Sequence, residues 1–334
     1  MSDALLVAVF SLSAVFSLGF SWVFVITLER IGARLALTEA LLGMLAALGA
    51  DAPEITAAVT ALAGGHTRIG AGVVLGSNVF NLAALLGLAA LVAGRIALHR
   101  RVIEMNGAIA LWVAAACLAV VLGGLSPLAG LLAACAAFVP YLVLLGVRRE
   151  RMARLALPAT WVRWLLAAVR EEEVELEAAI HPPRASRRDA ALALVALLVV
   201  VGASMAMERS AATFATRHAV SEIIVGAVVL AAVTSLPNAV AATYLAARGR
   251  GAAVLSTALN SNAINVLFGL LLPGSLVGLG APSGQTTFVT ASYAALTLFA
   301  LAGAYLASGL RRSAGAFVIG AYLAFVAVLL VTAG

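Results

Sequence analysis

The sequence predicts an all-α polytopic membrane protein, with ten transmembrane helices forming two inverted repeats of five helices. Three observations lead to this fold class: the composition, the lengths of the apolar segments and an internal duplication. Of the 334 residues, 63% are hydrophobic and 11% are charged, and the mean hydropathy is +1.10. Soluble domains do not have this composition. The apolar segments are too long and too continuous for the strands of a membrane β-barrel.

Five apolar segments come before a long polar stretch. The first has no basic residues in front of it, so we expect a retained helix and not a signal peptide. Pro140 is expected to kink the fifth helix. The predicted helices of this half are about 4–28, 38–63, 69–93, 103–123 and 126–147.

Five more apolar segments follow the polar stretch, and the first of them is short. An odd number of helices in each half makes the second half enter the membrane from the opposite face. We therefore divide the chain into a first half (1–147), a linker (148–189) and a second half (190–334). The predicted helices of the second half are about 190–207, 220–246, 252–273, 286–308 and 314–333.

The basic residues predict the orientation in the membrane. All 21 are arginines, and in the ten-helix plan 18 lie in loops on one side and three on the other. The protein is expected in the cell membrane (the inner membrane where there are two). Because cytoplasmic loops are enriched in arginine, both termini are expected on the outer side of that membrane and the linker in the cytoplasm. The same explanation accounts for the pI of about 10.1 without a nucleic-acid partner.

The linker and the cysteines are expected to have structural roles. Residues 155–170 have the pattern of an amphipathic helix on the inner leaflet, with Trp161 and Trp164 at headgroup depth. The acidic run at 171–177 is expected to be a solvated loop in preference to a cation sensor. Cys117 and Cys135 lie in apolar segments without metal-ligand spacing, so we expect them to be small buried side chains.

An internal duplication carries most of the functional information. In each half an interrupted apolar segment contains a proline, and an SN-x-x-N motif follows: Pro53 precedes Ser77 by 24 residues, and Pro237 precedes Ser261 by 24. The first repeat covers about 38–93 and the second about 220–273. Duplicated, interrupted membrane segments are a sequence sign of a transporter's substrate site.

Two acids lie inside the first repeat. An ionisable side chain at the centre of a transmembrane helix costs roughly 2.5–3.5 kcal/mol, so it is functional by default. Asp51 and Glu54 are three residues apart and share one helix face. Pro53 cannot donate to the carbonyl of Gly49, which predicts a free carbonyl oxygen beside the acids.

Hydroxyl and amide side chains of both repeats are expected to complete an all-oxygen cage. Such a cage, without Cys or His, suits a hard cation such as Ca²⁺ or Na⁺. Asn78 and Asn262 are equally consistent with a role in packing helices together. Gly72, Gly76 and Gly226 are expected to be close-packing positions. The predicted ligands are Asp51, Glu54, Ser77, Asn81, Thr234, Ser235, Asn238, Ser261 and Asn265.

The paired motifs resemble the alpha-repeats of the cation/calcium antiporter superfamily, which includes the sodium/calcium exchangers. The first repeat has GADAPE followed by GSNVFN, and the second has TSLPN followed by NSNAIN. The resemblance implies alternating access around one central site. By position it assigns ligand roles to Glu54, Ser77 and Asn81, and to Thr234, Ser235 and Ser261 of the second repeat.

Three positions depart from the family pattern. Asn238 stands where exchangers have a second-repeat acid, and Asn265 stands where an aspartate is usual. Asp51 stands where the family has a hydroxyl. These changes leave two acids in the predicted cage, both on one helix.

The expected function is secondary antiport of Ca²⁺ against Na⁺, with no enzymatic activity and no cofactor beyond the transported ions. Exchange of Ca²⁺ or another divalent cation against H⁺ is the alternative, because two acids match the site charge of proton-coupled members. An intramembrane hydrolase would need a second aspartate on another helix or a serine with a base. A non-transporting ion sensor is the remaining possibility, and ion flux in liposomes separates it from a carrier.

Overall fold

The computed structural model describes residues 2–35, 39–146, 159–177 and 187–333, and this part of the chain is almost entirely helical. Eight of its helices are long and apolar enough to cross a membrane, and two bent helix pairs raise the number to ten if each pair is one span. The predicted class of α-helical polytopic membrane protein is confirmed at this level.

The first half of the chain has one two-part helix and one helix that widens in its middle. Its elements are α1 (Asp3–Arg34), α2 (Glu39–Ala50), α3 (Ala52–Ala63), α4 (Thr67–Ala93), β1 (Arg95–Ala97), α5 (Arg100–Val121) and α6 (Pro127–Gly146).

After a linker helix, the second half repeats the order of the helices, but its short strand comes one helix later. Its elements are α7 (Ala159–Glu177), α8 (Arg187–His218), α9 (Glu222–Thr234), α10 (Leu236–Ala247), α11 (251–277), α12 (Gly284–Ala307), β2 (Gly309–Arg311) and α13 (Arg312–Ala333).

The helices that carry the SN-x-x-N motifs lie at the centre of the molecule. In an apolar stretch of 18 residues within each helix, 83% of the residues are buried in α4 and 89% in α11, but only 22% in α1 and in α13. Both central helices widen into π-helical turns beside the last Asn of the motif, over Leu82–Leu88 in α4 and Asn265–Leu271 in α11. Such turns are rare and concentrate at functional sites.

The prediction of a short helix at 190–207 is wrong, because α8 continues to His218. Glu208 and Arg209 end the apolar run, and hydropathy placed the boundary there. Nothing in the following residues breaks a helix until Ala219, whose φ is +52°. The longer α8 packs along α1, where the Ser17 and Ser204 hydroxyls form a hydrogen bond of 2.9 Å.

The linker helix also differs from expectation. The described part of α7 runs through the acidic residues to Glu177, so the solvated loop expected at 171–177 is helical. Its Val162, Ala168 and Val169 are buried, and Arg101 donates to Glu171 across 2.9 Å. Residues 148–158 and 178–186 of the linker lie outside the described residues.

The loops gather at two opposite ends of the helix bundle. At one end Asp3 contacts Arg217 (3.2 Å) and His218 (3.1 Å), while His66 contacts Glu222 (3.3 Å). At the other end β1 pairs antiparallel with β2, with Arg95 opposite Arg311. The first group of loops is the one with few arginines, and the second is arginine-rich.

Candidate functional site

Two helix breaks lie at the centre of the bundle, one in each repeat. The α2–α3 pair bends by 51° at Asp51, and the α9–α10 pair bends by 47° at Ser235. In each case the proline is the second residue of the new helix, where its missing N–H is tolerated. Asp51 and Ser235, the residues at the two breaks, are both fully buried.

The Gly49 carbonyl is not the free oxygen that the sequence predicted. The Ser21 hydroxyl of α1 donates to it across 3.1 Å. At the break itself, the Asp51 amide still donates to the Ala47 carbonyl and the Asp51 carbonyl accepts from the Ile55 amide. The carbonyls of Gly49 and Asp51 are therefore both hydrogen-bonded, and the free oxygen of this break is Oδ2 of the Asp51 side chain.

Both acids of α2–α3 are fully buried, and each accepts two hydrogen bonds from the second repeat. Glu54 accepts from the Ser235 hydroxyl at 2.5 Å and from the amide nitrogen of Asn265. Asp51 Oδ1 accepts from the Ser261 hydroxyl at 2.5 Å and from Asn238 Nδ2 at 2.7 Å. Among the described ion pairs none includes either acid.

The α4 motif closes the cage from the other side. Asn81 Nδ2 donates to the Ser261 hydroxyl at 3.3 Å and to Asn262 Oδ1 at 3.1 Å. Ser77 is fully buried on the same helix face, four residues earlier. Hydrogen bonds thus link seven of the nine predicted ligands, the two acids included, and Ser77 is buried on α4 without a bond to them.

Thr234 is the ninth predicted ligand, and it stands apart. It lies at the second break and is buried, but its hydroxyl donates to the carbonyl of Leu230 in its own helix at 2.9 Å. No hydrogen bond joins it to the other predicted ligands within the described residues.

Asn78 and Asn262 are absent from the predicted ligand set, and the structure shows what they do. Each donates from Nδ2 to the backbone carbonyl of the other at 3.1 Å, so the two form a reciprocal pair between α4 and α11. The sequence signal was their equivalent place in the two SN-x-x-N motifs. The pair holds the two central helices together directly beside the acids.

Four buried oxygens of the predicted ligand set have no hydrogen-bond partner. They are Asp51 Oδ2, Ser77 Oγ, Asn81 Oδ1 and Asn265 Oδ1. A buried acceptor without a donor costs about 1–3 kcal/mol. One of these oxygens belongs to the Asp51 carboxylate and another to Asn265, whose amide donates to Glu54. A hard cation would satisfy them together, because carboxylate, amide and hydroxyl oxygens are its preferred ligands.

Glycines let the two repeats approach closely at this site. A Cβ on Gly72 would lie 3.0 Å from the backbone nitrogen of Ala227, and one on Gly76 would overlap the Ala227 backbone. Gly226 faces α4 in the same way, and a Cβ there would lie 3.0 Å from the backbone nitrogen of Val73. The predicted close-packing role of Gly72, Gly76 and Gly226 is confirmed.

Comparison with known proteins gives a family match and a set of similar folds. The family model described as "Sodium/calcium exchanger protein" matches residues 5–148 and 189–331. No curated protein sequence matches the chain.

Three solved structures illustrate the fold similarity. The H⁺/Ca²⁺ exchanger CAX superposes with a TM-score of 0.71 at 14% identity, covering 98% of this chain and 86% of CAX. YfkE gives 0.65 at 16% identity, covering 96% and 92%. The sodium-calcium exchanger NCX_Mj gives 0.58 at 20% identity, covering 98% and 99%. At these identities the three structures establish a shared fold.

Proposed function

We propose a function from the premise that this chain belongs to the sodium/calcium exchanger protein family, whose model matches both of its halves. The chain is a multi-pass membrane antiporter of that type. Its proposed activity is the secondary active exchange of Ca²⁺ for Na⁺ at the cage around Asp51 and Glu54.

One observation carries this proposal: four oxygens of the predicted ligands, one of them on Asp51, are buried without a hydrogen-bond partner, and no arginine pairs with Asp51 or Glu54 in the described structure. Without a cation, those acceptors and charges are left unsatisfied in a low-dielectric interior. With a cation, Asp51 Oδ2, Ser77, Asn81 and Asn265 gain a common partner. The cation is the substrate, and it supplies the positive charge that pairs with the carboxylates and the unpartnered oxygens.

Contributions from both repeats give the proposed site its transport mechanism. The two acids come from the first repeat, and their hydrogen-bond donors Ser235, Asn238, Ser261 and Asn265 come from the second. A cation that binds both sets of side chains changes the contacts between the repeats. A rearrangement of one repeat against the other would then expose the site to alternate sides, as in transporters built from repeats.

The proposed orientation places both termini outside and the linker in the cytoplasm. It is supported by the arginine count and by the two groups of loops in the structure, since the arginine-poor loops contact one another at one end of the bundle. Inverted repeats of five helices are part of the same proposal.

Exchange against H⁺ is the second candidate. It is favoured by Asn238 and Asn265, whose amides leave the site with two acids. Two protons would neutralise Asp51 and Glu54 as completely as one Ca²⁺, so a proton-driven cycle is balanced in charge.

The test is ⁴⁵Ca²⁺ uptake into proteoliposomes under an imposed Na⁺ gradient or an imposed pH gradient. Uptake driven by outward Na⁺ supports the first candidate, and uptake driven only by outward H⁺ supports the second. Binding of Ca²⁺ without uptake under either gradient would show that the chain is a sensor and would refute antiport.

A further inference from the structure

A cavity of about 830 Å³ lies between α3 and α8, outside the cage described above. On α3 its lining begins at Ile55 and Thr56, directly after Glu54, and continues along one helix face to Gly64. At 1.5 Å per residue this face spans about 12–14 Å. His66, in the α3–α4 turn, lines the other end. The cavity therefore connects the loop end of the bundle with the helix that carries the central acids.

Glu208 of α8 lines this cavity and is only 2% exposed. Its Oε1 is buried and has no hydrogen-bond partner. Other acids at this end of the bundle are paired: Glu222 contacts His66, and Asp3 contacts Arg217 and His218. A buried carboxylate oxygen without a donor costs free energy, and Glu208 is not one of the residues of the cation cage.

Threonines add acceptor oxygens to a cavity wall that is otherwise largely apolar. Thr60 donates its hydroxyl proton to the carbonyl of Thr56 at 2.7 Å. Thr213 and Thr216 donate theirs to backbone carbonyls of α8 at 2.7 and 2.9 Å. All three line the cavity, and with their protons committed they present oxygen lone pairs. Acceptor oxygens beside a carboxylate favour a cation over an anion.

Two cationic side chains also line the cavity. His66 is 3.3 Å from Glu222, which offsets any charge on its ring. Arg209 follows Glu208 in the chain and is exposed. Both side chains are near enough to interact electrostatically with Glu208, but neither forms an ion pair with it in the described structure.

We propose that Glu208 is a second cation-binding site, a station for a hydrated divalent cation on the way to the central cage. This inference rests on the proposed transport function for its role, but its binding chemistry stands separately. One carboxylate with neutral hydroxyl oxygens binds weakly and releases quickly, as a station on a pathway must. Glu208 also raises the local cation concentration beside Glu54.

The binding test uses Mn²⁺ as the probe and a nitroxide at Val220→Cys, in protein with Cys117 and Cys135 replaced by serine. Along α8, Glu208 lies about 15 Å from His218, within range of paramagnetic broadening. Glu54→Gln is added to disable the central cage. We expect Mn²⁺ to broaden the nitroxide spectrum in this background, and Glu208→Gln to abolish the broadening.

Matched variants keep the binding test decisive. Glu104→Gln removes an exposed acid from α5 and should leave the broadening unchanged. Thr60→Val removes a cavity oxygen without changing the shape, and should weaken the broadening if Glu208→Gln does not fold. Unchanged broadening in Glu208→Gln, or none in its parent at millimolar Mn²⁺, would overturn the proposal.

Flux then tests the role of the station. In otherwise unmodified protein, Glu208→Gln should raise the KM for Ca²⁺ about ten-fold from the His66 side, with little change in kcat. An unchanged KM would overturn the station on the pathway. If the protein carries no Ca²⁺ at all, the proposed antiport fails, while the Mn²⁺ result still decides whether Glu208 binds a divalent cation.

Discussion

Glu54 and Asp51 are three residues apart, yet each has its own pair of donors. Ser235 and Asn265 donate to Glu54, and Ser261 and Asn238 donate to Asp51. All four donors belong to the second repeat. Negative charge from one half of the chain is therefore held by dipoles from the other, so a change at either acid affects contacts between the two halves.

Glu54→Gln should abolish ⁴⁵Ca²⁺ flux and leave the protein folded. Glutamine keeps the shape of the side chain but removes the charge that a cation needs. Because a buried, unneutralised charge is costly, the melting temperature should stay the same or rise. Glu104→Gln, at an exposed position on α5, is the control and should transport normally. Flux near that of the unmodified protein in Glu54→Gln would place the site elsewhere.

Ser77→Ala should separate a ligand from an ordinary buried hydroxyl. Ser77 and Ser256 are both buried serines whose oxygens lack a hydrogen-bond partner, but only Ser77 lies in the proposed cage. Removing an unpartnered hydroxyl should not lower stability in either case. We expect the KM for Ca²⁺ to rise about ten-fold in Ser77→Ala, which corresponds to about 1.4 kcal/mol of lost binding.

Ser256→Ala is the matched control and should leave the KM unchanged. Equal KM values in the two variants, measured by ⁴⁵Ca²⁺ uptake over a range of Ca²⁺ concentrations, would remove Ser77 from the ligand set.

The close crossing of α4 and α9 depends on Gly76, because a larger residue there would force the two helices apart. Gly76→Ala would place a Cβ inside the Ala227 backbone, so the two helices must separate. Overpacking of this kind costs about 1–3 kcal/mol. We expect a lower melting temperature, and weaker Ca²⁺ transport because Ser77 moves with the helix.

Gly202→Ala provides the comparison for Gly76→Ala. Gly202 lies within α8, and a Cβ there would meet nothing within 4 Å. Alanine is the better helix former, so this variant should be as stable as the unmodified protein or more so. Equal melting temperatures for the two variants would contradict the close crossing.

The elements that the sequence predicted correctly are those fixed by local chemistry. Both breaks follow from Pro53 and Pro237, and the central place of α4 and α11 follows from their paired motifs. The end of α8 was missed because hydropathy stops at Glu208, whereas helix formation does not. The π-helical turns after Asn81 leave no mark in hydropathy or in proline and glycine placement.

The contacts between residues far apart in the chain could not be predicted from the sequence. Seven of the nine predicted ligands are linked by hydrogen bonds, because each helix of the two repeats puts its ligands on one face, and Ser77 is buried on the same face as Asn81. The ninth, Thr234, uses its hydroxyl on its own helix. That Ser21 satisfies the Gly49 carbonyl depends on how α1 packs against the break, which no local pattern encodes. The partner of Asn78 likewise lies 184 residues away.

At the scale of the whole molecule, the proposed orientation predicts which residues each side of the membrane exposes. Ala247 ends α10 near the arginine-rich end, and Ala281 lies in a loop at the other end; both are exposed. In protein whose two native cysteines are replaced, Ala247→Cys should react with an impermeant thiol reagent only from the cytoplasm. Ala281→Cys should react only from outside. Labelling of both from the same side would exclude the ten-span arrangement.

Total site charge sets the proposed stoichiometry. With Asn238 and Asn265 neutral, the cage holds at most −2, from Asp51 and Glu54. One Ca²⁺ cancels this charge, and so do two Na⁺ or two H⁺. A third monovalent cation would leave +1 in a low-dielectric site, which is unfavourable. We therefore expect nearly electroneutral exchange, inhibited by acid because protons compete for the same two carboxylates.

Asn265→Asp tests this charge count directly. In the structure the Asn265 amide donates to Glu54, and an aspartate there would instead place a second carboxylate against it, so cations must hold the two together. With −3 in the cage, three monovalent ions can exchange for one Ca²⁺, and each cycle then moves net charge. In vesicles clamped with K⁺ and valinomycin, flux should be almost independent of voltage in the unmodified protein. It should become voltage-dependent in Asn265→Asp. A steep voltage dependence already present with Asn265 intact would refute the count, because a cage of −2 cannot neutralise three monovalent cations.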